Sequence, residues 1–229
     1  MPDPAPNPDL LRSLGQLVRG LSVLFWGIPA ALVICVQTAQ ADYLKMLGVF
    51  PPLIATAVPL HGLLLLARFR REERIWIEAL ERARVFAIVN LGLSPFLFWW
   101  SKMPANPFFT LATELLAVSG MLFLLTLNPA LRRLTAMLPD EALRHETGVF
   151  TKMNTGLILL NLALLLGSFA LAHLKTSPFV LGRWQFLLDR LTQWGVWFLV
   201  LLTTATTMAL IWKTKEVIFH SVFGGEHGT

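Results

Sequence analysis

Six stretches of the chain are apolar over the length that an α-helix needs to cross a lipid bilayer. A crossing takes about 20 mostly apolar residues, because a helix rises ~1.5 Å per residue through ~30 Å of hydrocarbon. Water cannot satisfy the backbone polar groups at that depth, and continuous apolar runs of this length indicate helices. The predicted spans are residues 21–38, 49–66, 85–101, 107–127, 155–174 and 194–212.

The overall composition agrees with these spans. Of the 229 residues, 55% are hydrophobic and 14% are charged, whereas soluble domains carry about 25% charged residues. So few charges cannot cover the chain in water. The predicted fold is therefore an all-α polytopic membrane bundle, a single domain over residues 1–229 with short loops. These loops are too short to hold a soluble catalytic domain.

The basic residues predict the orientation of the bundle. With the N-terminus inside, 14 of the 19 Lys and Arg residues fall in inner loops or tails, as the positive-inside rule requires. Both termini are therefore expected in the cytoplasm. Because the net charge of +5 sits in these short loops, no nucleic-acid partner is expected. A preference for Arg over Lys, with short loops, suggests a bacterial inner membrane.

Helical patterns also occur outside the spans. Asp9 can cap a helix whose apolar stripe runs to Leu21, and this helix is expected to lie on the inner membrane surface. A second apolar stripe over residues 181–191 predicts a surface-lying helix on the outside. Residues 72–84 and the helix start near Pro139 are expected to extend the third and fifth spans into the cytoplasm. Candidate kinks lie at Pro29, Pro59 and Pro95.

A short pattern occurs twice in the sequence. The series Val-Phe-x3-Asn-x-Gly-Leu begins at Val85 and again at Val149. One interpretation is a duplicated helical hairpin, residues 78–128 and 141–212, with Asn90 and Asn154 facing the bundle interior. The alternative is coincidence, since apolar sequence of low complexity yields short matches easily.

Glu114 is the one acidic residue predicted well inside a span. Burial of an ionised carboxylate in lipid is costly, so such a residue is a functional candidate. It is a candidate for a proton relay, a cation site or an ion pair with a partner subunit. The structural alternative is a Glu side chain that hydrogen-bonds a neighbouring helix.

Other polar residues in the spans allow similar pairs of interpretations. Thr203 and Thr207 fall in mid-span, where they either line a polar path or bond carbonyls of their own helix. Asn90 and Asn154 are read more simply as ties between helices. The arginine-rich loop offers three candidates for lipid headgroups: Arg68, Arg70 and Arg71.

Cofactors and metal ions are not expected. His61 and His173 raise the possibility of a membrane haem, but their predicted depths differ by more than about 10 Å at ~1.5 Å per residue. The sequence lacks a Walker A loop, a paired zinc-ligand motif and a nucleophile elbow. The favoured function is a non-catalytic structural or accessory subunit of a larger membrane complex, whose partners are lipid and either other subunits or itself. The alternatives are a small transporter or channel that uses Glu114 and the mid-membrane threonines, and an intramembrane enzyme.

Overall fold

The computed structural model describes residues 8–40, 43–69, 73–136, 141–173 and 184–223. The regular structure in these ranges is helical. A short 3₁₀ helix over Tyr43–Leu47 follows the first of seven α-helices. In chain order these are α1 (Pro8–Gln40), α2 (Phe50–Leu66), α3 (Arg74–Leu93), α4 (Phe96–Lys102), α5 (Pro107–Ala136), α6 (Glu141–His173) and α7 (Trp184–Phe223).

The lengths and compositions of these helices confirm the predicted membrane bundle. Among the described residues, five helical segments are long and apolar enough to cross a membrane, and the apolar α2 is shorter, with 17 residues. One of the five is α3 together with α4. This is an integral membrane protein with about six membrane-crossing helical segments.

The apolar core is concentrated near one end of the bundle. Consecutive antiparallel helices place the early part of α1, the late part of α5 and the late part of α7 at the same end. The pairs α1–α2, α3–α5, α5–α6 and α6–α7 pack together, and α1 also contacts α7. Among the residues of this core are Leu21, Leu63, Trp76, Leu80, Leu127, Leu131, Ile158, Ile211 and Ile218.

The prediction of a separate surface helix at the N-terminus is wrong. Helix α1 is continuous over 33 residues, and Leu17 and Leu21 are fully buried in the core instead of facing lipid headgroups. Leu14 packs against the same core. From Leu14 to Leu21, the apolar stripe that predicts a membrane-surface helix is therefore the side of α1 that packs on the bundle.

The second predicted surface helix is also not a separate element where the structure describes it. Helix α7 begins at Trp184 and continues without a break to Phe223, whereas residues 181–183 lie outside the described residues. The helices of the third and fifth spans do begin before those spans, α3 at Arg74 and α6 at Glu141, and their extension into the cytoplasm stays a prediction.

The third predicted span is interrupted at Pro95. Proline has no N–H to donate to the carbonyl four residues earlier, and Ser94 Oγ donates a hydrogen bond of 3.0 Å to the freed Leu91 carbonyl. Helix α3 therefore ends at Leu93 and α4 begins at Phe96. Pro29 and Pro59 lie inside α1 and α2, and a further proline, Pro129, lies inside α5.

Glycines allow α1 and α2 to approach closely. A Cβ atom on Gly27 would lie 2.8 Å from Val58 Cγ1. A Cβ atom on Gly62 would lie 2.9 Å from Leu24 Cγ and 3.3 Å from the Gly20 carbonyl oxygen. Small residues at helix contacts let backbones come close and gain van der Waals contact within lipid. The contact between α1 and α2 is therefore stabilised by close packing of the two helices.

Candidate functional site

Asn154 of α6 ties three helices together inside the bundle. Its Nδ2 atom donates to Asn128 Oδ1 of α5 and to Thr207 Oγ1 of α7, both over 3.0 Å. Its Oδ1 atom accepts a hydrogen bond of 2.6 Å from Thr206 Oγ1. Asn128, Asn154 and Thr207 are buried, so these bonds form away from solvent. We call Asn128, Asn154, Thr206 and Thr207 the amide cluster.

The threonines of α7 also bond the backbone of their own helix. Thr207 Oγ1 donates to the Thr203 carbonyl over 2.8 Å. The single proton of the Thr206 hydroxyl is shared between that carbonyl, at 2.9 Å, and Asn154 Oδ1. Thr204 Oγ1 donates to the Val200 carbonyl over 2.8 Å. Hydroxyls in apolar surroundings commonly use the carbonyl three or four residues earlier in this way. The hydroxyls of Thr204, Thr206 and Thr207 are thereby all hydrogen-bonded.

Three buried polar atoms in and beside the amide cluster have no hydrogen-bond partner: Asn128 Nδ2, Thr203 Oγ1 and Thr151 Oγ1. Thr203 precedes Thr207 by one helical turn, and Thr151 precedes Asn154 by three residues, so each lies on the same face as its cluster neighbour. A buried donor without a partner costs free energy, and such groups commonly take up water or a polar ligand. The cluster consists of amides and hydroxyls, which do not ionise near neutral pH. It is suited to hydrogen bonding and not to acid–base catalysis.

The other predicted asparagine makes a second tie. Ser119 Oγ of α5 donates a hydrogen bond to Asn90 Oδ1 of α3. Asn90 and Asn154 therefore each bond a hydroxyl on a following helix, as the interpretation of the two as interhelical ties expects. The flanking phenylalanines differ, since Phe86 packs against the core whereas Phe150 is exposed. The duplication itself stays a prediction.

Glu114 does not lie near the amide cluster. It is half-buried on α5 and precedes Asn128 by 14 residues, which is about 21 Å along the helix at 1.5 Å per residue. The predicted intramembrane residues therefore do not converge at one depth. Asn154, Thr203 and Thr207 lie together and Glu114 lies apart from them. Asn90 bonds Ser119, which lies on α5 between Glu114 and Asn128.

Of the three arginines predicted to bind lipid headgroups, the structure describes one. Arg68 follows α2 and is exposed, whereas Arg70 and Arg71 lie outside the described residues. In the described ranges, no group of three or more His, Cys, Asp or Glu side chains is arranged to hold a metal ion.

Asn128 and His61 are not among the site residues that the sequence predicts. Asn128 stands beside Pro129 near the predicted inner end of a span, where its amide carries no signal of its own. The sequence suggests His61 only as a possible haem ligand, yet it is exposed on the outward face of α2. The signal that identifies both residues is the position of their side chains relative to the neighbouring helices, which a single sequence does not contain.

Comparisons with known proteins do not assign a family. No family model matches the chain, and neither the curated proteins nor the solved structures contain a significant match.

Proposed function

We propose that this protein is a non-catalytic structural or accessory subunit of a larger membrane complex. The observation that carries the proposal is the use of the interior polar side chains. Asn154 joins α5, α6 and α7, and Asn90 joins α3 and α5. These polar groups serve mainly as ties within the bundle, and the surface left for recognition is the outer one.

The separation of polar groups supports the same proposal. A transport path or an intramembrane active site needs several polar groups at one depth, including groups that bind or move a charge. In this bundle, Glu114 is displaced by about 21 Å along α5 from the uncharged amide cluster. A subunit that acts through its outer surface has no need for that convergence.

The experiment that tests the proposal is the native mass of the protein after gentle extraction from its own membrane. We expect the full-length chain to be recovered with other polypeptides at a fixed stoichiometry that survives dilution. Extraction under denaturing conditions is the matched control and should release the chain alone. Recovery of a monomer or a homo-oligomer from the gentle extraction would overturn the proposal.

The proposal places both termini in the cytoplasm and the bundle in a bacterial inner membrane. Met103, in the exposed turn between α4 and α5, and Ala136, at the end of α5, lie at opposite ends of the bundle. In a Cys35→Ala background, a cysteine at Met103 should react with an impermeant maleimide in intact cells. A cysteine at Ala136 should react only after the membrane is opened. The reverse pattern would invert the topology.

A second candidate function is a small transporter or channel. The unpaired Asn128 Nδ2 and Thr203 Oγ1 atoms favour it, because a passing polar solute or water is a suitable partner for them. It predicts that Glu114→Gln folds but loses flux in vesicles. Wild-type flux through Glu114→Gln would remove that carboxylate from any mechanism, and flux lost only in Asn128→Leu would move the path to the amide cluster.

A further inference from the structure

Helix α2 presents one face away from the rest of the bundle. Phe50, Ile54, Val58, His61 and Leu64 recur at spacings of three and four residues, which places them on a common side, and all five are exposed. Val58 lies at the edge of this side, where it also packs against Gly27 of α1. Phe50 and Ile54 are 64% and 63% exposed. The opposite side of α2 packs on α1 and α3. We call these five residues the outer α2 face.

His61 does not fit an apolar helix face that meets only lipid. It lies eleven residues beyond Phe50, about 16 Å along a helix that is itself only about 25 Å long. Ionisable side chains at bilayer depth almost always face a protein interior or a water-filled cavity. In the described part of the chain, the His61 imidazole receives or donates no hydrogen bond. Lipid chains offer it none, so exposure to lipid leaves its N–H unsatisfied.

The direction and length of the His61 side chain keep its imidazole from reaching the polar surface of the membrane. Cα–Cβ bonds in a helix tilt toward its N-terminus, and for His61 that direction leads back along α2 toward the middle of the bilayer. The imidazole stem is one carbon long, unlike the long stems that allow Lys and Arg to reach the interface. A hydrogen-bond partner for His61 must therefore come to it within the membrane.

Arg68 indicates the nature of that partner. It follows His61 by seven residues, about 10 Å further toward the end of α2, and is exposed just beyond the helix. In a symmetric pair of this chain, two copies of α2 at one depth would bring the two Arg68 charges together, which is unfavourable. A different helix with an acceptor beside His61 and an acidic group beside Arg68 complements both residues.

We infer that the outer α2 face is the docking site for a membrane-spanning helix of another polypeptide. This helix carries a hydrogen-bond acceptor, a carboxylate or amide oxygen, at the depth of His61, and an acidic side chain about two turns further on, beside Arg68. The inference rests on the proposed role as a complex subunit and assigns the surface and the chemistry of the contact. Interhelical hydrogen bonds of this kind stabilise helix association in membranes.

The test uses a photo-crosslinking residue at Ile54 in the full-length chain, in its own membrane. The matched control carries the same residue at Leu159, which is also exposed, on α6. We expect Ile54 to give one discrete adduct with another polypeptide and Leu159 to give only lipid adducts. The cross-linked peptide should belong to a membrane-spanning segment with an acceptor side chain and an acidic residue about two turns away.

A second variant connects the adduct to His61. In His61→Leu, which removes an outward side chain, the Tm in detergent should stay unchanged while the Ile54 adduct falls about three- to fifteenfold. Replacing the partner's acceptor by Leu should reduce the adduct to the same extent. An unchanged yield in His61→Leu, an adduct of twice the chain's own mass, a cross-linked segment without an acceptor, or lipid adducts alone at Ile54 would each overturn the inference.

The native mass separates this inference from the broader proposal. If the wild-type chain is recovered in a complex while Ile54 meets only lipid, the docking site is wrong and the subunit role stands. If the wild-type chain is recovered alone, both are wrong.

Discussion

The α1–α2 contact and the α5–α6–α7 contact hold helices together by different means. Between α1 and α2, Gly20, Gly27 and Gly62 bring the backbones so close that an added Cβ would lie within 3.0 Å of a neighbouring atom. Among α5, α6 and α7, the amide cluster joins the helices by hydrogen bonds of 2.6–3.0 Å. The first contact is apolar and close, and the second is polar.

This difference reflects the solvent. Lipid is as apolar as a leucine side chain, so burial of apolar side chains gives little free energy to helix association. Close packing and hydrogen bonds between helices are then the main stabilising interactions. A contact held by shape should be sensitive to added volume and insensitive to polarity. A contact held by hydrogen bonds should have the opposite sensitivity. Substitutions that add volume and substitutions that remove polar groups should therefore affect the stability of the two contacts differently.

The largest effect is expected from Gly62→Leu. A Cβ atom there meets Leu24 and the backbone of Gly20, so the two helices must separate, at a cost of about 3 kcal/mol in the free energy of unfolding. Gly156→Leu is the matched control, because nothing lies within 4 Å of a Cβ atom at Gly156 on α6. The measurement is reversible unfolding in mixed detergent micelles, followed by tryptophan fluorescence. Equal losses in the two variants would show that close approach does not hold α1 to α2.

Asn154→Leu should have the next largest effect. It removes three hydrogen bonds and leaves the Asn128 amide buried and unpaired, at a cost of about 2 kcal/mol. Asn161→Leu is the matched control on the same helix, because Asn161 donates only to the Met121 sulfur over 3.6 Å. It should cost less than about 1 kcal/mol. The same unfolding assay compares the two, and a larger loss in Asn161→Leu would contradict the assigned role of the cluster.

The double variant Asn128→Leu/Asn154→Leu should be more stable than the sum of the single losses implies. Replacing both partners of a buried hydrogen bond by apolar groups leaves no unpaired amide, so we expect about 1 kcal/mol of favourable coupling. A double-mutant cycle measures this quantity directly. Strict additivity would mean that Asn128 and Asn154 do not depend on each other.

The smallest effect is expected at the tie between α3 and α5. Ser119→Ala removes the hydroxyl that donates to Asn90 and should cost about 0.6 kcal/mol, the average for hydrogen bonds between membrane helices. Thr126→Ala is the control, because Thr126 Oγ1 bonds only carbonyls of its own helix. If Thr126→Ala costs as much as Ser119→Ala, the hydroxyls act within their own helices and the tie adds nothing.

The sequence was sufficient for the membrane bundle, because the length and apolarity of a span are local properties. It was not sufficient for the course of α1, since the same apolar stripe suits either a membrane surface or a helical bundle. The burial of Leu17 and Leu21 depends on the helices that pack against them. The amide cluster was predicted in part: Asn154 and Thr207 stand out in apolar spans. Their contact with each other and with Asn128 depends on how α5, α6 and α7 pack, which one sequence does not encode locally.

The positions of the amide-cluster residues in the sequence also determine when their hydrogen bonds can form during synthesis. Helices α1 and α2 are neighbours in sequence, so their glycine contact can form as soon as α2 has left the ribosome. Asn154 completes its hydrogen bonds later, because Thr206 and Thr207 follow it by 52 and 53 residues. Until α7 enters the membrane, the Asn154 amide has only part of its hydrogen bonds. A nascent chain stalled before α7 therefore leaves the Asn154 amide with unpaired polar atoms inside the membrane, which is costly in free energy.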